Sequence, residues 1–172
     1  MRDTVNISGL VTVELHDDDG RLVWQETVHN IITDAGDLYL AQKAIVGISP
    51  ANASAPTAMT GMKLGTGTTA ASKAGAGAAL VTYLSASNAT FASTYPQTNN
   101  LGSGLGVEAV YQCTWAAGTA TNSAITEVVI VNDAATNATS SAANTISRAV
   151  VTSIDKTATT ALTITWRHKI LG

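Results

Sequence analysis

Three carboxylates near the centre of the chain's strand-like segments are the residues best suited by type to catalysis. Glycoside hydrolases use a pair of carboxyl groups, one as an acid and the other as a base or nucleophile. Glu108, Glu127 and Asp133 are the acids in or beside these segments. Their places in the sequence do not fix the distance between any two of them. A hydrolase acting on a surface polysaccharide is therefore the least favoured of the hypotheses below, and we predict no catalytic residue and no enzymatic activity.

The side chains that could bind a metal lack the spacing that metal sites need. His16, His29 and His168 do not lie on adjacent turns of a helix, so we expect solvated histidines near strand ends. Asp17, Asp18 and Asp19 are contiguous, whereas an EF-hand calcium loop has alternating acids followed by a Glu. We therefore predict a charged turn here and no metal site.

A nucleophilic or cofactor-binding role is also not indicated. Cys113 is the only cysteine, so the chain can form neither an internal disulfide nor a cysteine-based zinc site. It lies in an alternating apolar run and is predicted to be a small buried hydrophobe. Residues 65–69 have glycines like a phosphate-binding loop, but they lack the Gly-Lys-Ser/Thr and the following helix. We predict a turn there and no cofactor.

The aromatic residues either pack in the core or are exposed to bind a glycan or receptor. Trp24, Trp115 and Trp166 lie among aliphatic neighbours on predicted strands, which favours packing in the core. Exposed aromatic rings would instead favour binding of a glycan or receptor. The candidates for such exposure are the three tryptophans together with Tyr83, Tyr95 and Tyr111.

The composition restricts the partners. Alanine occupies 29 and threonine 26 of the 172 positions, and charged residues make up 12%, against roughly a quarter in typical soluble domains. Much of the surface must therefore be small and uncharged. Nine Lys and Arg against twelve acids, for a net charge of −3, argue against a nucleic-acid partner. No apolar run approaches the ~18 residues of a membrane span, and the N-terminus has no signal-peptide pattern, so we expect synthesis in a cytoplasm and no membrane partner.

The N-terminal third predicts a hairpin followed by one helix. Apolar and polar residues alternate over residues 5–15 and again over 21–29, and Gly20 can adopt the positive φ of the connecting turn. We expect residues 1–30 to form this hairpin or an N-terminal arm. Thr33 or Asp34 can cap a helix over residues 34–46, which ends near Gly47.

The rest of the chain predicts strands and long loops. Residues 128–131 form an unbroken β-branched run that fits the middle of a packed sheet. We therefore predict a single all-β domain over 1–172, an antiparallel β-sandwich of jelly-roll or immunoglobulin-like layout with one short helix near 34–46. The further strands are predicted at 59–64, 80–84, 107–115, 125–131, 146–154 and 161–171, and long loops at 66–79, 93–106 and 132–144.

Several segments, taken in order, resemble virion proteins of tailed bacteriophages. Residues 28–41, VHNIITDAGDLYLA, are similar to the opening N-L-I-T-x-x-G-x-x-x-L-A of that family, and residues 62–70, MKLGTGTTA, are similar to its VGTGTTA turn. Residues 125–132, ITEVVIVN, resemble its ITEAGLFN segment, with Val128 and Val129 in place of Ala-Gly. Ile146 to Val150 and Leu162 to Trp166 resemble the closing strands, so the resemblance covers about residues 28–172.

This resemblance implies a structural role and brings no catalytic residues with it. We expect a capsid decoration (cement) protein that stabilises an assembled phage head, located at the capsid surface. The expected partners are the major capsid protein or other virion proteins and further copies of the chain itself, as a homo-oligomer of expected trimeric form. The alternative is a tail-fibre or head-fibre module that binds a host receptor or glycan.

Overall fold

The chain folds into two facing antiparallel sheets, in a computed structural model that describes residues 6–43 and 57–171. The strands are β1 (Asn6–His16), β2 (Leu22–His29), β3 (Ile31–Ile32), β4 (Gly61–Gly65), β5 (Ala89–Thr90), β6 (Gln97–Asn100), β7 (Val107–Trp115), β8 (Asn122–Val131), β9 (Thr145–Lys156) and β10 (Ala161–Leu171), with one α-helix, α1 (Asp34–Ala41). Sheet A has the order β2-β1-β10-β7-β6, and sheet B has the order β3-β9-β8-β4-β5. The predicted all-β antiparallel sandwich is confirmed.

The predicted N-terminal hairpin forms as β1 and β2, and it is built into sheet A because β1 also pairs with β10 over its full length. Val11 and Val13 point into the core and are fully buried, while Thr12 between them lies on the opposite face. Gly20 has a φ of +77° in the connecting turn, a conformation that glycine adopts without a steric penalty.

The core lies between the two sheets. The long strands of sheet A contribute residues of one parity, whereas the parity of the core residues changes along β8 and β9, whose pairing has register shifts. Trp166 of β10 and Trp115 of β7 contribute the largest rings from sheet A. Val128 and Ile130 of β8 face them from sheet B. Since β8 is the third of five strands and residues 128–131 are all buried, the predicted position of this apolar run is confirmed.

The helix begins where its cap predicts. Thr33 accepts a hydrogen bond from the backbone N–H of Gly36 at 3.0 Å through its side-chain oxygen, so it is the N-cap of α1. Gly36 is required by close packing, because a Cβ there would lie 2.1 Å from the carbonyl oxygen of Ile146. The predicted continuation over 44–46 lies outside the described residues. None of the helices in the described part of the chain is long and apolar enough to cross a membrane.

Short strands are the main difference from the sequence prediction. β3, β5 and β6 were not predicted, and β6 lies inside the segment expected to be a loop at 93–106. No strand forms over 80–84, where only Tyr83 makes an isolated bridge to Gly65. The segments 66–79 and 132–144 each contain one short 3₁₀ helix, Gly75–Ala78 and Ala142–Asn144.

Candidate interaction surface

The middle of the outer face of sheet A is an array of threonine and amide side chains, which we call the threonine face. Further along the same side, β10 and β7 carry the charged residues Arg167, Lys169 and Glu108. The residues of the threonine face alternate along each strand with the core residues, so the period of two that fills the core also places them outward. Cross-strand register brings Thr12 beside both Thr27 and Thr165, and Thr163 beside Thr114. The threonine face consists of Thr12, Glu14, Gln25, Thr27, Gln112, Thr114, Thr163 and Thr165.

Hydrogen bonds between neighbouring strands order this face. The hydroxyl oxygens of Thr114 and Thr163 lie 3.1 Å apart, and those of Thr12 and Thr27 lie 3.3 Å apart. Further bonds run from the Gln112 amide to the Thr165 hydroxyl at 3.1 Å and from the Gln25 amide to the Glu14 carboxylate at 3.3 Å. The threonine side chains are short, and the longer Glu14, Gln25 and Gln112 are held by hydrogen bonds. A partner that docks on this face therefore has less side-chain freedom to remove.

The outer face of sheet B is covered by the chain's own segments 66–88 and 132–144. Leu80 and Ala134 from these segments pack on Val129 and Val131 of β8, and all four are buried. Polar residues of sheet B on this side are buried as well, and they bind the covering segments through ion pairs.

Arg148 and Glu127 form the first of these ion pairs, and both side chains are 0% exposed. The guanidinium donates to Oε2 of Glu127 from Nη2 at 2.7 Å and from Nε at 3.1 Å, a fork that suits a carboxylate. Glu127 also accepts the backbone N–H groups of Gly67, Val81 and Thr82 at 2.9, 3.1 and 2.9 Å. Arg148 also donates to the carbonyl oxygens of Thr69 and Gly77 at 2.8 and 3.2 Å. One ion pair thus ties residues 67–82 to the sheet.

Lys63 of β4 holds the second covering segment in the same way. Its side chain is 0% exposed, and its ammonium donates to Oδ1 of Asp133 at 3.1 Å and to the carbonyl oxygen of Ala138 at 2.9 Å. The hydroxyl of Ser140 donates to the same carboxylate oxygen at 2.6 Å. A buried ammonium needs such partners, so residues 133–140 are fixed over the sheet.

The three carboxylates considered for hydrolysis lie in different places. Glu108 belongs to sheet A, is 8% exposed, and accepts a hydrogen bond from the Asn99 amide at 3.0 Å. Glu127 and Asp133 lie on the outer side of sheet B, each paired with its own cation. Each of the three carboxylates therefore has a side-chain partner within the fold.

The prediction that His168 is solvated is wrong, since only 2% of it is exposed. It shares the parity of Ile164 and Trp166 on β10, and the same alternation that buries them places it in the core. Its Nε2 lies 3.3 Å from the Ser147 hydroxyl, and burial lowers its pKa to about 4. His29 is exposed and His16 half-buried, at the ends of their strands.

The structure confirms the charged turn after β1. The backbone N–H of Gly20 donates to the carbonyl of Asp17 at 3.0 Å, and the Asp17 carboxylate accepts the N–H of Arg21 at 2.8 Å. The side chains of Asp17, Asp18 and Asp19 each bring a ligand atom within 4.8 Å of the others, and Asp18 and Asp19 are exposed. Arg21 forms an ion pair with Asp19 at 3.0 Å.

Cys113 and the glycine-rich segment at 65–69 are both structural. Cys113 is 0% exposed in the core, as predicted, and burial raises the pKa of its thiol to about 12. Gly65 ends β4, and residues 66–69 continue without the predicted turn, while the N–H of Gly67 donates to Glu127. Sequence reasoning did not predict that this segment is bonded to a buried carboxylate.

The aromatic residues divide between the core and the half-buried surface. Trp115, Trp166 and Tyr111 are at most 5% exposed, so the prediction of core packing is confirmed for both of these tryptophans. Trp24 is half-buried against the core cluster. Tyr83 and Tyr95 are also half-buried, and the Tyr83 hydroxyl donates to Asn88 and Asn137.

A cleft of about 330 Å³ opens at one end of the sandwich, beside α1. Its ionic groups, Asp37 and Lys73, form an ion pair with each other. The side-chain oxygen of Asn30 is buried there without a hydrogen-bond partner among the described residues. The cleft is lined by Ile7, Gly9, Asn30, Ile31, Ile32, Asp37 and Lys73.

Comparisons with protein-family models, with curated proteins and with solved structures find no match to this chain. The resemblance of its segments to phage virion proteins therefore stays a prediction. Function is inferred below from the residues and the geometry of the surfaces.

Proposed function

We propose that the protein is a structural virion protein of a tailed phage, a decoration (cement) protein that binds the assembled head through its threonine face. The observation that carries this proposal is the contrast between the two outer faces. Segments 66–88 and 132–144 cover sheet B, whereas Gln25, Thr27 and Thr114 of the threonine face are exposed among the described residues. The motifs shared with phage virion proteins supply the virion context.

The chemistry of the threonine face suits a surface that must fit a neighbour. Ordering an exposed Lys or Glu side chain costs about 1.5–2 kcal/mol, whereas a threonine held by its neighbour loses far less. Glu14 is the only charged member of the threonine face, and Arg167 and Lys169 lie beyond it on the same side of β10. Docking confined to the threonine face therefore removes few ions from water. We expect a partner surface that is likewise poor in charge, and binding that depends weakly on salt.

An assembled head can bind the protein tightly even though each single contact is weak. A protein that binds the assembled state and not the free subunits stabilises that state by mass action. Many copies, or a homo-oligomer with several faces, multiply modest contacts through effective concentration. No reactive pocket is required, and we propose that the protein is not an enzyme.

The second candidate function is a fibre module that binds a host receptor or glycan. It is favoured only by the partial exposure of Trp24, Tyr83 and Tyr95, because the other three aromatic candidates are buried. The Tyr83 hydroxyl is already bound to two asparagines of the covering segments, which weakens this alternative.

Heads stripped of this protein and then refilled test the proposal. We expect stripped heads to lose their DNA at a lower temperature or after a smaller osmotic shock, and the added protein to restore resistance in a saturable manner. Heads equally resistant with and without the protein would contradict cementing. Binding of the free protein to host cells or to a glycan array, without binding to heads, would favour the fibre module.

A further inference from the structure

The two sheets end in four outer strands, and three of them are protected from pairing with another chain. β3 and β5 contain only two residues each, which is too short to act as a template. On β2, the carboxylate of Glu26 accepts the backbone N–H and the hydroxyl of Thr152 on β9, both at 2.8 Å. This charged residue ties the edge of sheet A to sheet B.

The fourth outer strand, β6, has none of these protections. Its sequence, Gln97-Thr98-Asn99-Asn100, is uncharged, and all four residues are exposed. It pairs with β7 in an unbroken register. On its other side, no strand among residues 6–43 and 57–171 pairs with it. Backbone N–H and C=O groups on such an edge are a ready template for another strand.

We propose that β6 is an interface between two copies of this chain, paired antiparallel about a two-fold axis. A strand edge is complementary to itself in this orientation, and a two-fold contact uses the same patch on both copies. We place the axis at Thr98 or Asn99, because these registers pair most of β6 with its copy. They also keep the core-side residues of both copies on one face of the joined sheet. The absence of charge on β6 means that no like charges meet across the axis.

Exposed apolar residues lie near this edge. Asn100 is opposite Val107 on β7, and Val107 is opposite Ile170 on β10. Val107 is 44% and Ile170 39% exposed, although both have the parity of core residues. Because both lie one or two strands inside β6, the pairing itself depends on the backbone hydrogen bonds of β6.

The proposal goes beyond the proposed function and does not rest on it. A two-fold contact alone closes a dimer, whereas a trimer needs a different interface. Head binding and self-association are measured separately, so either can fail without the other.

The test is the mass of the purified protein in solution, measured by light scattering and sedimentation over a range of concentrations. We expect the wild type to be a dimer or an even multiple of one. T98K places two ammonium groups at the axis, and we expect it to halve the mass. The matched control, T136K, puts the same charge at an exposed position on the segment that covers sheet B and should keep the wild-type mass.

Q97K is a second variant on the same strand, and circular dichroism with thermal unfolding shows which variants keep the fold. A folded T98K or Q97K variant with half the wild-type mass supports the interface. A wild-type protein that stays monomeric overturns the proposed interface. The edge of β6 is then available only to a strand of another protein. An odd-numbered oligomer, or a dimer that neither variant dissociates, also overturns it.

Discussion

The outer faces of the two sheets differ in where the chain places its charges. The outer face of sheet B carries Lys63, Glu127 and Arg148, all fully buried beneath the chain's own segments. The threonine face of sheet A carries one charged residue, Glu14, and its residues Gln25, Thr27 and Thr114 are exposed among the described residues. Arg167 and Lys169 lie beyond it on the same side of β10. In a chain with only 12% charged residues, three of the nine cations, Lys63, Arg148 and Lys156, are 0% exposed. The ionic groups on sheet B stabilise the fold, whereas the threonine face that we propose for partner binding has few charges.

The largest loss of stability should come from breaking the ion pair of Glu127 and Arg148, which lies beneath the segments that cover sheet B. E127A leaves Arg148 buried without its counter-ion and three backbone N–H groups without an acceptor. We expect a loss of about 3–5 kcal/mol in the free energy of unfolding, measured by denaturant titration. D18A, which removes an exposed carboxylate, should change it by less than about 0.5 kcal/mol. Equal effects of the two substitutions would contradict the role given to Glu127.

The next largest effect should be a change of stability with pH that is caused by His168. Its pKa is about 4 in the folded protein against its usual 6.5, so the unfolded chain binds more protons between these values. The free energy of unfolding should therefore be highest above pH 6.5 and fall by about 3 kcal/mol as the pH drops towards 4. H168F should flatten this slope, and H29Q, at an exposed histidine, should not. An unchanged slope in H168F would show that other groups cause it.

The smallest effect on stability should come from the threonine face. T114K replaces an exposed residue whose hydroxyl bonds to that of Thr163, so we expect the free energy of unfolding to change by no more than about 0.5 kcal/mol. Thermal unfolding compares T114K with T136K, an exposed position on the segment that covers sheet B. A large loss of stability in T114K alone would mean that the face serves folding.

The sequence predicted correctly those strands whose pattern of apolar residues extends over many positions. The alternation in β1 and β2 and the β-branched run in β8 are sustained over enough residues to identify both strand and face. β6 was missed because Gln, Thr and Asn are typical of turns, and its pairing with β7 is set by tertiary structure. His168 could have been placed in the core by continuing the parity of Ile164 and Trp166.

The two outer faces could be predicted only in part. The alternation of Thr163 and Thr165 with Leu162 and Ile164 indicates a polar outer face on β10. The pairing of Glu127 with Arg148 joins strands through residues 21 positions apart, and no local pattern specifies it. That segments 66–88 and 132–144 cover sheet B is likewise a tertiary property, since their small polar residues suit either an open loop or a packed one.

The most direct test is binding of the protein to stripped heads, measured by co-sedimentation over a concentration series with wild type, T114K and T136K. We expect saturable binding of the wild type and of T136K, and weak or no binding of folded T114K. Equal binding of T114K, or loss of binding in T136K instead, would contradict the claim that sheet A meets the partner while sheet B holds the fold.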